Sequence, residues 1–155
     1  METGDLRSAE VEFVERIGLM SEEDGLPRIA GRIMGLLMLS EEPRTLDDLA
    51  ETLQVSKASA STNTRLLDRI GMVDRTSRPG DRRAYYRIAP DALERSLERM
   101  RRRTQELVEL VEEVLPEVPS ESARARGRLT TMVRWHRFVL QELTSLQERW
   151  EDDDE

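Results

Sequence analysis

The sequence predicts a mainly α chain with a small β component, an α+β winged helix-turn-helix with further helices at both ends. Three observations predict it. Between Ser56 and Gly71, apolar residues recur at helical spacing, and the opposite face (Lys57, Ala58, Ser61, Thr62, Arg65) contains no acid. Two strand-like runs then flank Pro79-Gly80-Asp81, a turn ringed by arginines. Outside this stretch lie longer segments with more apolar surface than a small winged domain can cover.

Residues 5 to about 20 predict a first helix with an incomplete apolar stripe, Leu6, Phe13, Val14, Ile17 and Met20, weakened near its end by Gly18. Such a helix packs on a partner chain or braces its own subunit. Ser21 to Gly25 is a polar break. Pro27 sits near the start of the next helix, where a missing N–H costs little. Ile29, Ala30, Ile33, Met34 and Leu36 to Leu39 make that helix apolar on most sides, so it belongs in the core. Its dozen or so residues are too few to span a bilayer. Gly31 and Gly35 permit close helix approach, a packing detail in a soluble chain.

After the break at Glu41-Glu42-Pro43, Thr45 caps LDDLAETLQ, with Asp47 and Asp48 in the first turn where the helix dipole favours acids. Leu46, Leu49, Ala50 and Leu53 form its inner face. Gln54-Val55-Ser56 then matches helix-turn-helix spacing, although the turn has no glycine.

Ser56 caps the second helix, residues 57–70, and Gly71 stops it. Ala60, Asn63, Leu67 and Ile70 share the inner face, with Leu66 beside it. Short hydroxyls with a Lys and an Arg outside suit a major groove, since small residues allow close approach and Arg can pair bidentately with guanine. An ordinary surface helix is the bland alternative. Next come MVDRTSR and AYYRI, two extended runs. A thin ribbon between them can set Arg78, Arg82 and Arg83 in a minor groove. Asp81 is out of place against DNA, and its expected part is to orient a wing arginine by a charge-assisted bond. A hairpin with a solvated tip is the alternative.

Asp91 caps a long helix running to about Leu115, striped by Leu93, Leu97, Met100, Leu107, Leu110, Val111 and Val114. Its RMRRR run, Arg99 to Arg103, reads as a salt-bridged face neutralised by Glu94, Glu98 and Glu106 rather than a phosphate site. Pro116 and Pro119 break the chain before a last helix from about Ser120 to Trp150. EDDDE is expected to be a disordered acidic tail.

Residues 25–88, through GLPRIAGRI, the LA…L.VSK.S.S run and PGDRR.YYR, resemble the MarR family of transcriptional regulators, and within it the GbsR-like branch. The resemblance covers about two-fifths of the chain. It implies a homodimeric winged-helix protein that binds double-stranded DNA, usually as a repressor on a pseudo-palindromic operator. Residues 57–70 would be the recognition helix and 78–84 the wing. The expected DNA contacts are Lys57, Ser59, Ser61, Thr62 and Arg65 from the helix, and Arg78, Arg82 and Arg83 from the wing. The implied organisation is an N-terminal dimerisation or brace helix (1–24), a DNA-binding domain (25–90), a C-terminal dimerisation region (91–150) and the acidic tail (151–155). A small-molecule effector between winged domain and dimer helices is also implied, and the branch is linked with choline and glycine-betaine control. An aromatic cage for such a cation cannot be assembled by spacing from the six aromatics Phe13, Tyr85, Tyr86, Trp135, Phe138 and Trp150.

A net charge of −8 argues against DNA binding unless the charge is segregated. It is segregated. Residues 1–53 carry 5 basic and 13 acidic groups, residues 54–88 carry 8 and 3, and residues 89–155 carry 11 and 16. The one basic segment is the helix and wing. Without cysteine the chain has no disulfide, thiolate zinc site or thiol redox sensor. No signal-peptide or membrane-spanning run occurs, so the expected location is cytoplasmic. His136 is the single histidine, flanked by Trp135 and Phe138, and reads as structural, with a ligand-pocket residue as the alternative; no nucleophile motif, phosphate loop or metal-ligand spacing accompanies it. The sequence therefore predicts no enzyme, no cofactor and no metal. The rival from another class is a winged-helix module that binds protein instead of DNA.

Overall fold

The structure, a computed structural model, describes residues 7–153. Its elements are α1 (Ser8–Glu23), α2 (Arg28–Leu39), β1 (Arg44–Thr45), α3 (Leu46–Leu53), α4 (Lys57–Arg69), β2 (Val73–Thr76), β3 (Tyr85–Ile88), α5 (Ala92–Val114), a 3-10 turn (Leu115–Glu117) and α6 (Ala123–Asp153). They form two compact units, one ending at Ala92 and the other beginning at Leu93.

In the first unit α2 is the central helix. Ile33 and Leu36 are wholly buried and Leu37 nearly so, in one core with Val14, Leu49, Leu53, Leu67, Val73 and Tyr86. The opposite side of α2 is covered by α1. A Cβ added to Gly31 would stand 2.7 Å from the Ile17 carbonyl oxygen, and one on Gly35 would stand 3.2 Å from the Val14 Cα. Gly18 answers from α1, where a Cβ would stand 2.7 Å from Cγ of Arg32. The glycines thus bring two helices of one chain together. Glu15 fixes the pair, accepting from Arg28 Nη2 at 2.8 Å and from Arg32 Nε at 2.6 Å. Burial pushes the Glu15 carboxyl up, but the two guanidiniums more than offset it and hold it below its ordinary value. Arg32 Nη2 also donates to the Leu53 carbonyl at 3.0 Å, tying this corner to the end of α3.

Two expectations for α1 change. The helix runs through Ser21, Glu22 and Glu23, because Ser21 is buried against Gly31 and the break waits for Gly25 at φ 83°. Phe13 and Met20 are exposed while Val14 and Gly18 face α2, so the inner face follows the small residues and not the largest ones. Asp5 and Leu6 lie outside the described residues.

Thr45 caps α3 with a reciprocal pair: the Asp48 N–H donates to Thr45 Oγ1 and the Thr45 N–H donates to Asp48 Oδ2, at 3.2 and 2.9 Å. The glycine-free turn is made by Gln54 at φ 53°, with Val55 N–H donating to the Ala50 carbonyl and Gln54 N–H to the Glu51 carbonyl. Ser56 caps α4, and the same closing pattern at its end places Gly71 at φ 78°. The sheet has three strands in the order β1-β3-β2, all antiparallel, not the two of the sequence reading. The extra strand is the two residues Arg44-Thr45, too short to show an alternating pattern.

In the second unit α5 and α6 run antiparallel. Trp150 meets Glu94, Arg137 meets Glu112, and Arg126 Nη1 donates to the Leu115 and Val118 carbonyls. Val108, Val111 and Val133 are their small buried core. Along RMRRR, Arg101 pairs with Glu98 at 2.9 Å and Arg102 with Glu106 at 3.8 Å, while Glu94 turns to Trp150 instead. The helix α6 continues to Asp153, so the first three residues of the acidic run extend it rather than leaving it; residues 154 and 155 lie outside the described residues. Among the described residues no helix is long and apolar enough to cross a membrane.

Gly31→Ala is expected to lose about 1–3 kcal/mol in urea denaturation, since the α1–α2 contact has no room for a methyl. Gly127→Ala, in α6 with open space around it, is expected to gain about 0.5–1 kcal/mol. Equal effects at the two sites would refute the close-approach account.

Candidate nucleic-acid interface

The face of α4 is set from its buried side. Ala60 and Leu67 are wholly buried. So is Thr64, whose hydroxyl donates to the Ala60 carbonyl at 2.7 Å. Asn63, also buried, donates to the Ser59 carbonyl at 2.9 Å. The Thr64 hydroxyl and the Asn63 amide N–H2 are thus bonded within the helix, which lowers the cost of burying them. This orientation leaves Lys57, Thr62 and Arg65 exposed, and Ser59 and Ser61 half-buried. Asp68 is exposed as well, a turn beyond Arg65. The outer face is therefore free of acid only over its N-terminal two turns, the part that leads into a groove when a helix enters end-on.

The wing tip is a tight turn: Asp81 N–H donates to the Arg78 carbonyl at 3.1 Å, with Pro79 second and Gly80 third at φ 80°. Asp81 then gathers its neighbours. It accepts from the Arg83 backbone N–H at 2.9 Å, from Arg83 Nη2 at 2.7 Å and from the Tyr85 hydroxyl at 2.7 Å. Arg83 also donates to the Tyr85 oxygen at 3.1 Å. The Arg83 guanidinium and N–H, followed by the Tyr85 hydroxyl, hold the Asp81 carboxyl well below the usual carboxylate range. The same bonds raise Arg83 and Tyr85 above their ordinary values. Arg78 lies over the Tyr85 ring, 4.6 Å from its centroid, and pairs with Glu42 at 2.9 Å.

The eight expected contact residues thus fall into distinct situations. Lys57 is ion-paired with Asp47 at 2.8 Å, both side chains well exposed. Arg65 donates only to the Ser61 carbonyl, at 3.3 Å, and its head is otherwise free. Arg78 and Arg83 are tied into the wing, whereas Arg82 is exposed without an ion pair or hydrogen bond. The sequence places Arg78, Arg82 and Arg83 alike at the wing; the geometry divides them. The sequence alone does not single out Tyr85 as the hub of the wing, nor Glu42 and Asp47 as partners. Tyr85 was legible as an aromatic two residues from Arg83; Glu42, 36 positions from Arg78, was not.

A helix-turn-helix with one cationic exposed helix and an arginine-tipped hairpin defines a winged-helix DNA-binding protein. The MarR family model matches residues 24–84, and a model described as an MmpR5-like MarR family transcriptional regulator matches residues 91–153. The chain belongs to the MarR family of transcriptional regulators. It is 32% identical over 149 residues to the HTH-type transcriptional regulator MmpR5 of Mycobacterium tuberculosis, covering 93% of this chain and 90% of that one. To the HTH-type transcriptional repressor OpcR of Bacillus subtilis it is 26% identical over 86 residues, 56% of this chain and 46% of the relative. The fold is similar to a crystal structure of a transcriptional regulator, with a TM-score of 0.78 and 30% identity over 93% of this chain and 99% of that one.

Because the folded Asp81 is depressed, its contribution is present above the ordinary Asp value of about 3.9 and is lost as pH falls from there through the lower folded value. A carboxyl 13C titration is expected to show Asp81 still ionised where exposed acids have protonated. Titration together with those acids would mean the wing knot does not form in solution.

Proposed function

We propose that the chain is a homodimeric repressor, acting in the cytoplasm on a pseudo-palindromic operator. Two copies of α4 enter successive major grooves about one helical turn apart. Lys57, Ser59, Ser61, Thr62 and Arg65 position the helix and read bases, with Arg65 suited to guanine. Arg82 reaches a flanking minor groove or phosphate. Arg78 and Arg83 hold the wing in shape, and Arg78 exchanges Glu42 for a phosphate on contact. The observation that carries this reading is the coincidence of the one basic segment, residues 54–88, with the exposed face of α4 and the wing tip.

The second half of the reading, the homodimer, is supported by apolar surface on the helices that flank the DNA-binding elements. Leu110, Val114, Trp135 and Phe138 are exposed on α5 and α6, and Val11 and Leu19 on α1. Exposed apolar groups in that number mark an interaction surface. The GbsR-like resemblance belongs to the reading through residues 25–88. An effector would act by favouring one spacing of the two α4 helices over the other.

Fluorescence anisotropy on duplex from upstream of the protein's own gene, against a scrambled duplex across a salt series, tests it. Tight binding to the first alone is expected. Arg65→Ala should weaken it by about 1–3 kcal/mol and blur discrimination, while Arg82→Ala should weaken both duplexes and lower the salt slope by about one. Weak, sequence-blind binding, with no site recovered from a genome-wide selection, would favour a protein-binding module.

A further inference from the structure

The start of α5 and the end of α6 enclose a groove of about 210 Å³, lined by Leu93, Glu94, Leu97, Leu146 and Trp150. Its walls are apolar except for one carboxylate. Glu94 Oε1 accepts from the indole Nε1–H of Trp150 at 2.8 Å. Its second oxygen, Oε2, is shut off from solvent and accepts no hydrogen bond. The dipole of α5 accounts for an acid in the first turn. It does not account for one oxygen of that carboxylate being turned away from water with no donor on it.

We propose that this groove binds a small organic cation, a protonated amine on a short apolar body. The ammonium donates to Glu94 Oε2 and supplies the missing partner. The body lies against Leu93, Leu97, Leu146 and the Trp150 ring, whose face attracts a cation. The volume is below the range of drug-sized pockets, which selects a short chain over a polycyclic ligand. The unmade acceptor takes a hydrogen-bond donor, which a quaternary ammonium lacks, and its charge favours a cationic N–H over a neutral hydroxyl.

The test uses the full chain with Trp135→Phe, so that tryptophan fluorescence reports Trp150 alone. Octylamine, octyltrimethylammonium, octanoate and octan-1-ol are titrated at pH 7, without DNA, so the outcome is independent of the operator assay. A saturable response to octylamine is expected, several-fold weaker for the quaternary analogue and absent for octanoate. Glu94→Gln keeps an acceptor for the Trp150 N–H and replaces the second oxygen with a donor. It should weaken octylamine at least tenfold with helix content by circular dichroism unchanged. Octanol binding as well as octylamine, or an unchanged Glu94→Gln, would reduce the site to an apolar groove and overturn the proposal. So would a Trp150 signal that ignores all four compounds and shifts only on dilution, which would assign the groove to a second copy of the chain.

Discussion

The burial of α2 on two sides is the constraint on which the N-terminal unit depends. One side needs large side chains, and Ile33, Leu36 and Leu37 meet Leu49, Leu53 and Leu67 from the helix-turn-helix. The other side needs almost none, because Gly31 and Gly35 let the backbone of α1 come within contact distance. Arg32 joins the two sides, bonded at once to Glu15 of α1 and to the carbonyl of Leu53. That carbonyl belongs to the residue before Gln54, whose left-handed turn launches α4. The direction of α4 is therefore fixed by apolar packing and one half-buried guanidinium. The residues that would meet DNA contribute little to fixing it, the exposed Lys57–Asp47 pair being their link to α3.

The wing follows the opposite plan. It has no core of its own, and its shape comes from polar groups around Tyr85. The ring is buried on β3 and carries Arg78 on its face, while its hydroxyl bridges Arg83 and Asp81. An exposed ion pair alone contributes little. Here one carboxylate receives a backbone N–H, a guanidinium and a hydroxyl, so the turn closes around it. Asp81, the residue that looked misplaced against a phosphate backbone, is what lets Arg82 stand out from the tip without collapsing onto it.

How much of this was legible in the sequence depended on the range of the interaction. Caps and turns were plain, because Ser56, Thr45, Gly71 and Pro79-Gly80 act within three or four residues of themselves. The part played by Asp81 toward an arginine was legible for the same reason. Thr64 was not, since a hydroxyl that back-bonds within its own helix looks like any polar residue until burial is known. The strand at Arg44-Thr45 was hidden because two residues carry no period. The true inner face of α1 was hidden because Gly18 and Ser21 are buried for being small, whereas pattern reading credits size. Asp68 was legible from helical spacing alone, which puts it on the same face as Arg65.

The charge balance of the whole chain bears on how such an acidic protein approaches DNA. Three of the cations expected to face the duplex already have anionic partners: Lys57 with Asp47, Arg78 with Glu42, Arg83 with Asp81. The first two pairs are well exposed and distant in sequence, so they are individually weak and open readily to water or phosphate. A phosphate that displaces Asp47 or Glu42 gains a cation but must approach the displaced carboxylate. The net attraction per contact is smaller than for a bare lysine or arginine, and it applies to every duplex alike. On the proposed reading, discrimination would then come from Arg65 and the hydroxyls at the acid-free start of α4, which no acid masks. An acidic surround with masked cations would thus lower binding everywhere, and on that reading would leave the groove contacts of one short helix to decide where the protein stays.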